Sequence, residues 1–278
     1  MQLTALALHP LKSGAIRPVQ SATVLPHGLV DDRRWMLVDG DGRLVSAREE
    51  HATFHITADT PATDPDLDAP LRLRSPGLAD LVVTHPDGPP IDLRLHSLDL
   101  TGVPAGAEAD AWVRQRLGRD DLRLVWCHDP SRRRLQPGFS EVGDHATFPD
   151  SFPVTVASLA SLRQLNDWIV EGALERGEEP ADPLPMERFR PNLVIDGDAP
   201  FAEDQWSTLI VGAVRFRVAK QVDRCAMATI NPVSLTTAKE PIRTLARHRL
   251  VGGRTMFAMH LVPVTEGTIS VGDEVVAG

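Results

Sequence analysis

The chain is poor in sulfur. Among 278 residues there are two cysteines, Cys127 and Cys225, far apart in sequence and neither in a CxxC pair. That excludes a disulfide framework and leaves no ready structural zinc site or redox dithiol. A reducing cytoplasm suits such a chain and is its expected location. No run reaches the roughly 18 apolar residues that a bilayer-spanning helix needs. The opening MQLTALALHPLKSG has neither a basic leader ahead of an apolar core nor an Arg-rich amphipathic transit helix. No membrane association is expected. Basic charge is scarce too: 38 acidic residues face 29 basic ones, and the net charge of −9 argues against a general nucleic-acid binder. Internal repeats and low-complexity tracts are absent.

What is present is the composition of a folded globular chain, 42% hydrophobic with charges of both signs interspersed, long enough for one or two domains. The first hundred residues read as short strands joined by turns. Leu3 to Leu8 alternates apolar with polar or small residues and stops at Pro10. Residues 34–46 carry a hairpin signal, two strand-like runs around Asp39-Gly40-Asp41-Gly42, where glycine supplies the positive φ of a tight turn. Further runs at Phe54–Thr57, Leu71–Arg74, Leu81–Thr84 and Ile91–Leu95 are each bounded by Pro, Gly or Asp. Strands so spaced predict a small barrel or sandwich. The Pro- and Asp-rich segment 58–70 reads as a surface loop.

Beyond residue 100 the pattern changes. Asp110 is a candidate N-cap for a short helix, AWVRQRL, ended by Gly118. The domain boundary is placed here, giving a first domain over 1–100 and a second over 101–278. Leu122–Trp126 returns to strand, and 132–153 reads as a long loop. Over 158–177, Leu162, Leu165, Trp168, Ile169 and Ala173 recur at three- and four-residue intervals and predict an amphipathic helix, capped by Ser158 or Ser161. The amides at such a helix end also suit an anion. Strands at Leu193–Ile195, through Val218, and near 256–263 and 268–276 complete a β-rich α+β chain with few helices.

Chemistry concentrates at Cys225, whose neighbour is Arg224. A thiolate binds metal or attacks substrate, and an adjacent cation favours that form. Equally, a free cysteine is often a small buried apolar residue. Positive charge gathers in Lys12-Ser13-Gly14, Asp32-Arg33-Arg34-Trp35, Arg48, Arg188-Phe189-Arg190-Pro191-Asn192 and Arg224, all at strand ends or adjoining loops. Guanidinium forks suit phosphate or carboxylate, though each of these taken singly reads equally as a solvated surface charge. Cys127 follows an apolar strand and reads as core; zinc shared with His128 would need two further ligands. Glu203 and Asp204 are adjacent and diverge, which suits a structural role such as pairing with an arginine. Trp168 and Trp206 read as packing residues.

The series as a whole resembles a known family. His9-Pro10-Leu11-Lys12-Ser13, Gly28 through Trp35, and Ser46-Ala47-Arg48 are similar to a MOSC N-terminal β-barrel domain. Ser158-Leu159-Ala160-Ser161-Leu162, Arg188 through Asn192, Phe201 through Trp206, Arg224-Cys225, Glu240 through Leu245 and Gly267 through Asp273 resemble a MOSC domain, the molybdenum-cofactor sulfurase C-terminal type. The order matches over nearly the whole chain. The two-domain arrangement is similar to the mitochondrial amidoxime-reducing component family and its bacterial relatives.

That resemblance implies a mainly β fold holding a molybdenum–pterin (molybdopterin) cofactor. By it, Cys225 is the thiolate ligand to molybdenum and the catalytic residue. Lys12, Ser13, Arg33 and Arg48 hold the pterin and its phosphate from the N-terminal domain; Ser158, Ser161, Arg190, Asn192 and Arg224 do so from the MOSC domain. His260 takes the place of a polar side chain near the cofactor. A soft thiolate suits molybdenum, and an acidic chain with local arginines selects a polyanion by position. The implied reaction is two-electron reduction of the N–O bond in a small N-hydroxylated substrate.

The chain departs from the family where Leu159 replaces an acidic side chain near the metal, which leaves the proton donor open between His260 and water. No ferredoxin-like cysteine quartet follows Val275. The expected electron donor is therefore a separate protein: a ferredoxin, a flavodoxin, or a cytochrome b5-like protein with its reductase. The alternative is a non-redox carrier of sulfur or of the cofactor, since MOSC domains are also joined to cysteine desulfurases. Those enzymes bring a superfamily-level association with pyridoxal phosphate.

Overall fold

The protein is described by a computed structural model of residues 1–278. Twenty short strands and three α-helices make it a β-rich α+β chain. Its contacts fall into two compact units that interleave along the sequence. One holds residues 1–7, 20–24 and 154–278, the other 8–19 and 25–153.

The unit formed mainly by 154–278 is organised on one mixed sheet. Its strands lie in the order Leu3–Leu8, Leu193–Ile195, Val154–Ser158, Arg254–Pro263, Val214–Asp223, Thr208–Val211 and Val275–Ala277. Val154–Ser158 and Leu193–Ile195 run parallel. A parallel pair needs a crossover, and helix α2, Leu159–Glu175, lies within the connection. Every residue of Val154–Ser158 is buried, as expected of a strand covered on both faces.

The sequence leaves two candidates for the α2 cap, and the structure chooses Ser158, whose Oγ accepts the Ser161 N–H at 3.0 Å. Gly197 makes room for it. At φ +68 it sits where a Cβ would lie 2.8 Å from the Ser158 Cβ, so only glycine fits. Leu162, Leu165 and Ile169 then pack against Val222, Leu245, Phe257 and Ala258. Truncating Leu165 to alanine there costs about 2–5 kcal/mol. A third helix, α3 over Ile242–His248, is not anticipated from the sequence. Its signal is Pro241 directly before the helix, with Leu245 buried one turn on.

The unit formed mainly by 25–153 carries two small sheets. One runs Ile91–Leu95, Leu98–Pro104, Arg123–Trp126, Trp35–Val38, Leu44–Val45; the other Thr57–Asp59, Leu71–Arg74, Leu81–Val83. The expected hairpin over 34–46 is present. The Asp39 carboxylate accepts the N–H groups of Asp41 and Arg43 at 2.9 and 2.8 Å, and Gly42 has φ +79. Helix α1, Ala107–Leu117, ends on Gly118 at φ 67, in the left-handed conformation.

Three local expectations are corrected. Residues 51–55 form a 3₁₀ turn rather than a strand, and the strand starts only at Thr57. The Pro/Asp-rich loop starts after Asp59, whose buried carboxylate ends that strand and pairs with Arg17, Arg72 and Arg74 at 2.8, 3.1 and 2.7 Å. Asp110 is not a cap: α1 starts three residues earlier, at Ala107, and the Asp110 carboxylate accepts the Leu124 N–H at 2.9 Å. That bond ties α1 to the strand Arg123–Trp126, which pairs with Trp35–Val38. Residues 101–153 therefore pack with the strands that precede them, and no change of packing partner occurs at residue 100. No helix is long and apolar enough to cross a membrane.

Candidate functional site

In the unit containing 25–153, Lys12 and Arg48 meet on one carboxylate. Lys12 is 6% exposed. Its Nζ donates to Asp150 Oδ1 at 2.5 Å and to the Phe148 carbonyl at 2.8 Å. Arg48 Nη2 donates to the other Asp150 oxygen at 2.6 Å, and His96 Nε2 lies 3.1 Å from Oδ1. Arg133, fully buried, donates to the carbonyls of Thr147 and Ser151 at 2.6 and 3.3 Å and so brackets the loop that carries Asp150. Arg33 is paired with Asp32. Ser13, buried at φ 67, lies in a tight turn closed by the Gly14 N–H on the Leu11 carbonyl.

Lys12 and Arg48 pair with the Asp150 carboxylate, and Arg133 lies within reach of its charge. Burial lowers the Lys12 pKa to about 8, and the nearby charges of Arg133 and Arg33 add to it; the attraction of Asp150 does not offset this. Burial would raise the Asp150 pKa, but Lys12, His96 and Arg48 together hold it well below the usual carboxylate value. Burial likewise pushes Arg133 down to about 10. Cations gathered in this way, two of them buried and two with forked donors, suit an anion. Asp150, Arg133 and His96 escaped the sequence reading. The first two lie in the 132–153 loop, which has no periodicity to give them away, and His96 sits at a hairpin tip.

In the unit containing 154–278, Cys225 is exposed, which removes the buried apolar reading. It is the N-cap of the 3₁₀ turn Ala226–Thr229. Arg224 donates from Nε to the Phe257 carbonyl at 2.8 Å and from Nη1 to the Phe189 carbonyl at 2.9 Å, with its guanidinium 5.9 Å from the Phe257 ring and 5.4 Å from the Phe189 ring. Arg190 follows Phe189 at φ 49 and closes the 3₁₀ turn Met186–Phe189. Arg190, Arg224 and Cys225 are thus brought to one locality through Phe189.

Asn192, Ser158 and Ser161 are buried deeper. The Asn192 amide accepts from the Thr155 N–H at 3.2 Å and donates to the Ala7 carbonyl at 3.1 Å, joining three strands. His260, 6% exposed, stands opposite Thr155 in the neighbouring strand. Ser161 Oγ donates to Glu203 at 2.6 Å, and Ser158 Oγ lies 2.8 Å from Ser161 Oγ and 3.3 Å from Glu203. Glu203 therefore pairs with serines at the start of α2, not with an arginine. Burial raises its pKa, against the effect of those hydroxyls. Asp204 takes the arginine instead, accepting from Arg249 at 2.5 Å.

Other residues stay in packing roles. Trp168 stacks between Phe201 and His248, with centroids 5.3 and 4.3 Å away. Cys127 is buried, and burial pushes its thiol up to about 11, so it is poorly nucleophilic. No group of three or more His, Cys, Asp or Glu side chains is placed to hold a metal ion. The chain's contribution to a metal would be the single thiol of Cys225.

The profile of the MOSC N-terminal beta barrel domain matches residues 1–120, and that of the MOSC domain matches residues 143–276. Mitochondrial amidoxime-reducing component 1 of Mus musculus is 29% identical, with the alignment covering 97% of this chain and 80% of that protein. The Homo sapiens component 1 is also 29% identical, over 97% of this chain and 81% of its own length. Mitochondrial amidoxime reducing component 2 of Rattus norvegicus is 29% identical over 89% and 73%. Two domain matches in order, with relatives aligned over most of the chain, make this a MOSC-domain protein that carries the MOSC N-terminal beta barrel domain.

Proposed function

We propose that the protein is a molybdenum–pterin oxidoreductase that reduces small N-hydroxylated compounds, with electrons from a separate donor protein. The observation that carries the reading is the exposed thiol of Cys225 beside an Arg224 held by two carbonyls. The names of the relatives supply the substrate class, and the cations gathered about Asp150 suit an anionic pterin phosphate. The residues fit such a group in kind: one soft thiolate for the metal, forked donors for the phosphate, and no competing cluster of hard ligands.

When bound, the cofactor supplies two-electron chemistry at molybdenum. The chain's part is different. Cys225 is the metal ligand. In the unit containing 25–153, Lys12, Ser13, Arg33 and Arg48 offer donors to an anion; in the unit containing 154–278, Arg190 and Arg224 offer donors near Cys225. Ser158, Ser161 and Asn192 set the backbone of the helix start and strands that carry these groups. His260 is the side-chain candidate for holding a proton near the reacting oxygen.

Elemental analysis of protein expressed with molybdate, beside Cys225→Ala, tests this. Molybdenum near one per chain, lost in the variant, with benzamidoxime reduction from an artificial donor, supports the reductase. Bound molybdenum without turnover points to a cofactor carrier. No molybdenum in the wild type overturns both.

A further inference from the structure

Arg188 has no role in the reading above. It is buried, 9% exposed, and its Nε donates to the Ala228 carbonyl at 3.0 Å. The Ala228 N–H in turn donates to the Cys225 carbonyl at 3.1 Å. One residue, Ala228, therefore stands between the guanidinium and the main chain of Cys225. The next residue, Phe189, accepts from Arg224 on the other side of the cysteine. The short turn Met186–Phe189 thus grips the Cys225 segment twice, ahead of it at Arg224 and behind it at Ala228.

The grip is costly. Arg188 Nη2 is buried without a hydrogen-bond partner, and burial lowers the guanidinium pKa. A methionine would fill a similar volume without desolvating a charge, and replacing buried ions by apolar groups is often neutral or stabilising. A buried cation in this place therefore calls for a purpose other than packing. Its hydrogen bond leads to the cysteine turn.

We propose that Arg188 is a positioning residue for Cys225: through Ala228 it fixes the turn that presents the thiol. The consequence for metal binding rests on Cys225 being the molybdenum ligand; the positioning itself does not. Outer partners that orient a metal ligand commonly change affinity by about 10–100-fold.

The test compares R188M and R188K with the wild type in two arms. In full-length protein expressed without molybdate, amide hydrogen exchange is read across 225–230. R188M should exchange at Ala228 about 10-fold faster, as loss of a charge-assisted bond implies. R188K, which keeps a donor, should fall between the two. In protein expressed with molybdate, R188M should hold the metal about 10–100-fold more weakly and R188K less so. Wild-type exchange in R188M, or R188K as fast as R188M, overturns the inference. If R188M does not fold, R188K decides alone: faster exchange confined to 226–229 supports the inference, and wild-type rates overturn it. A wild type free of molybdenum overturns the ligand reading, and the exchange arm still settles the role of Arg188.

Discussion

The two units handle their candidate cations differently. About Lys12, basic side chains converge on a carboxylate: Asp150 receives Lys12, Arg48 and His96. About Cys225, Arg224 donates to the carbonyls of Phe189 and Phe257, and Arg188 to that of Ala228. Cations gathered on a titratable group form a site whose strength depends on pH and salt, because charge is what they contribute. Cations bonded to main-chain carbonyls fix shape, and their effect is geometric. Substitutions in the first region should act on anion affinity, and those in the second on how the thiol is held.

Cys225→Ala should have the largest effect, reducing molybdenum content and turnover by at least about 100-fold, since no other group can take over a ligand role. Lys12→Met should follow, weakening cofactor retention by about 10–100-fold with the fold intact, and the loss should shrink in high salt. A loss indifferent to salt would break the comparison. The pH dependence of this region has a definite sign. Burial favours the neutral amine of Lys12, which loses its proton near pH 8 in the folded chain and near its ordinary 10.5 when unfolded. Between those values the unfolded chain holds more protons, so this group adds stability as pH rises. Anion binding runs the other way and should weaken above about pH 8. Salt-dependent binding of inorganic phosphate, measured from about pH 6 to about pH 10, reads it.

A middle-sized effect belongs to the buried serine–glutamate group. Glu203→Ala leaves the Ser161 hydroxyl without its acceptor, and Ser158 with Ser161 alone, and should destabilise the chain by about 1–3 kcal/mol in chemical denaturation. Because burial raises the Glu203 pKa, its ionisation costs stability as pH rises from the unfolded value through the folded one. Glu203→Gln should remove that dependence. Arg247→Ala should do least, within about 0.5 kcal/mol, because its pair with Glu175 is exposed on both sides.

Much of the architecture was legible where local pattern and burial agree. The spacing of Leu162, Leu165 and Ile169 announces α2, and Asp39-Gly40-Asp41-Gly42 announces its hairpin. Phe54 misled because an apolar aromatic beside β-branched residues looks like a strand, while a 3₁₀ turn buries it as well. α3 was hidden by its brevity, and Asp110 by a tertiary bond to Leu124 that no local rule foresees. In the candidate site, Lys12, Arg33, Arg48, Arg190, Arg224 and Cys225 stood out through motif resemblance. Asp150 and Arg133 did not, and Arg188 stood in a motif without a role, because their partners lie at distant points of the chain and only folding brings them into register.

The strand Leu3–Leu8 pairs with Leu193–Ile195, and Ser21–Leu25 pairs with Gly267–Ser270. In each pair the earlier strand thus waits for a mate synthesised much later. At about 5–20 residues per second, roughly 10–40 s pass before residue 193 exists to meet the amino-terminal strand. During that interval Leu3, Leu6 and Val24, all destined for the interior, are without their mates. No single scission of the polypeptide separates one unit from the other, so excising either would require bridging the gaps between its own segments.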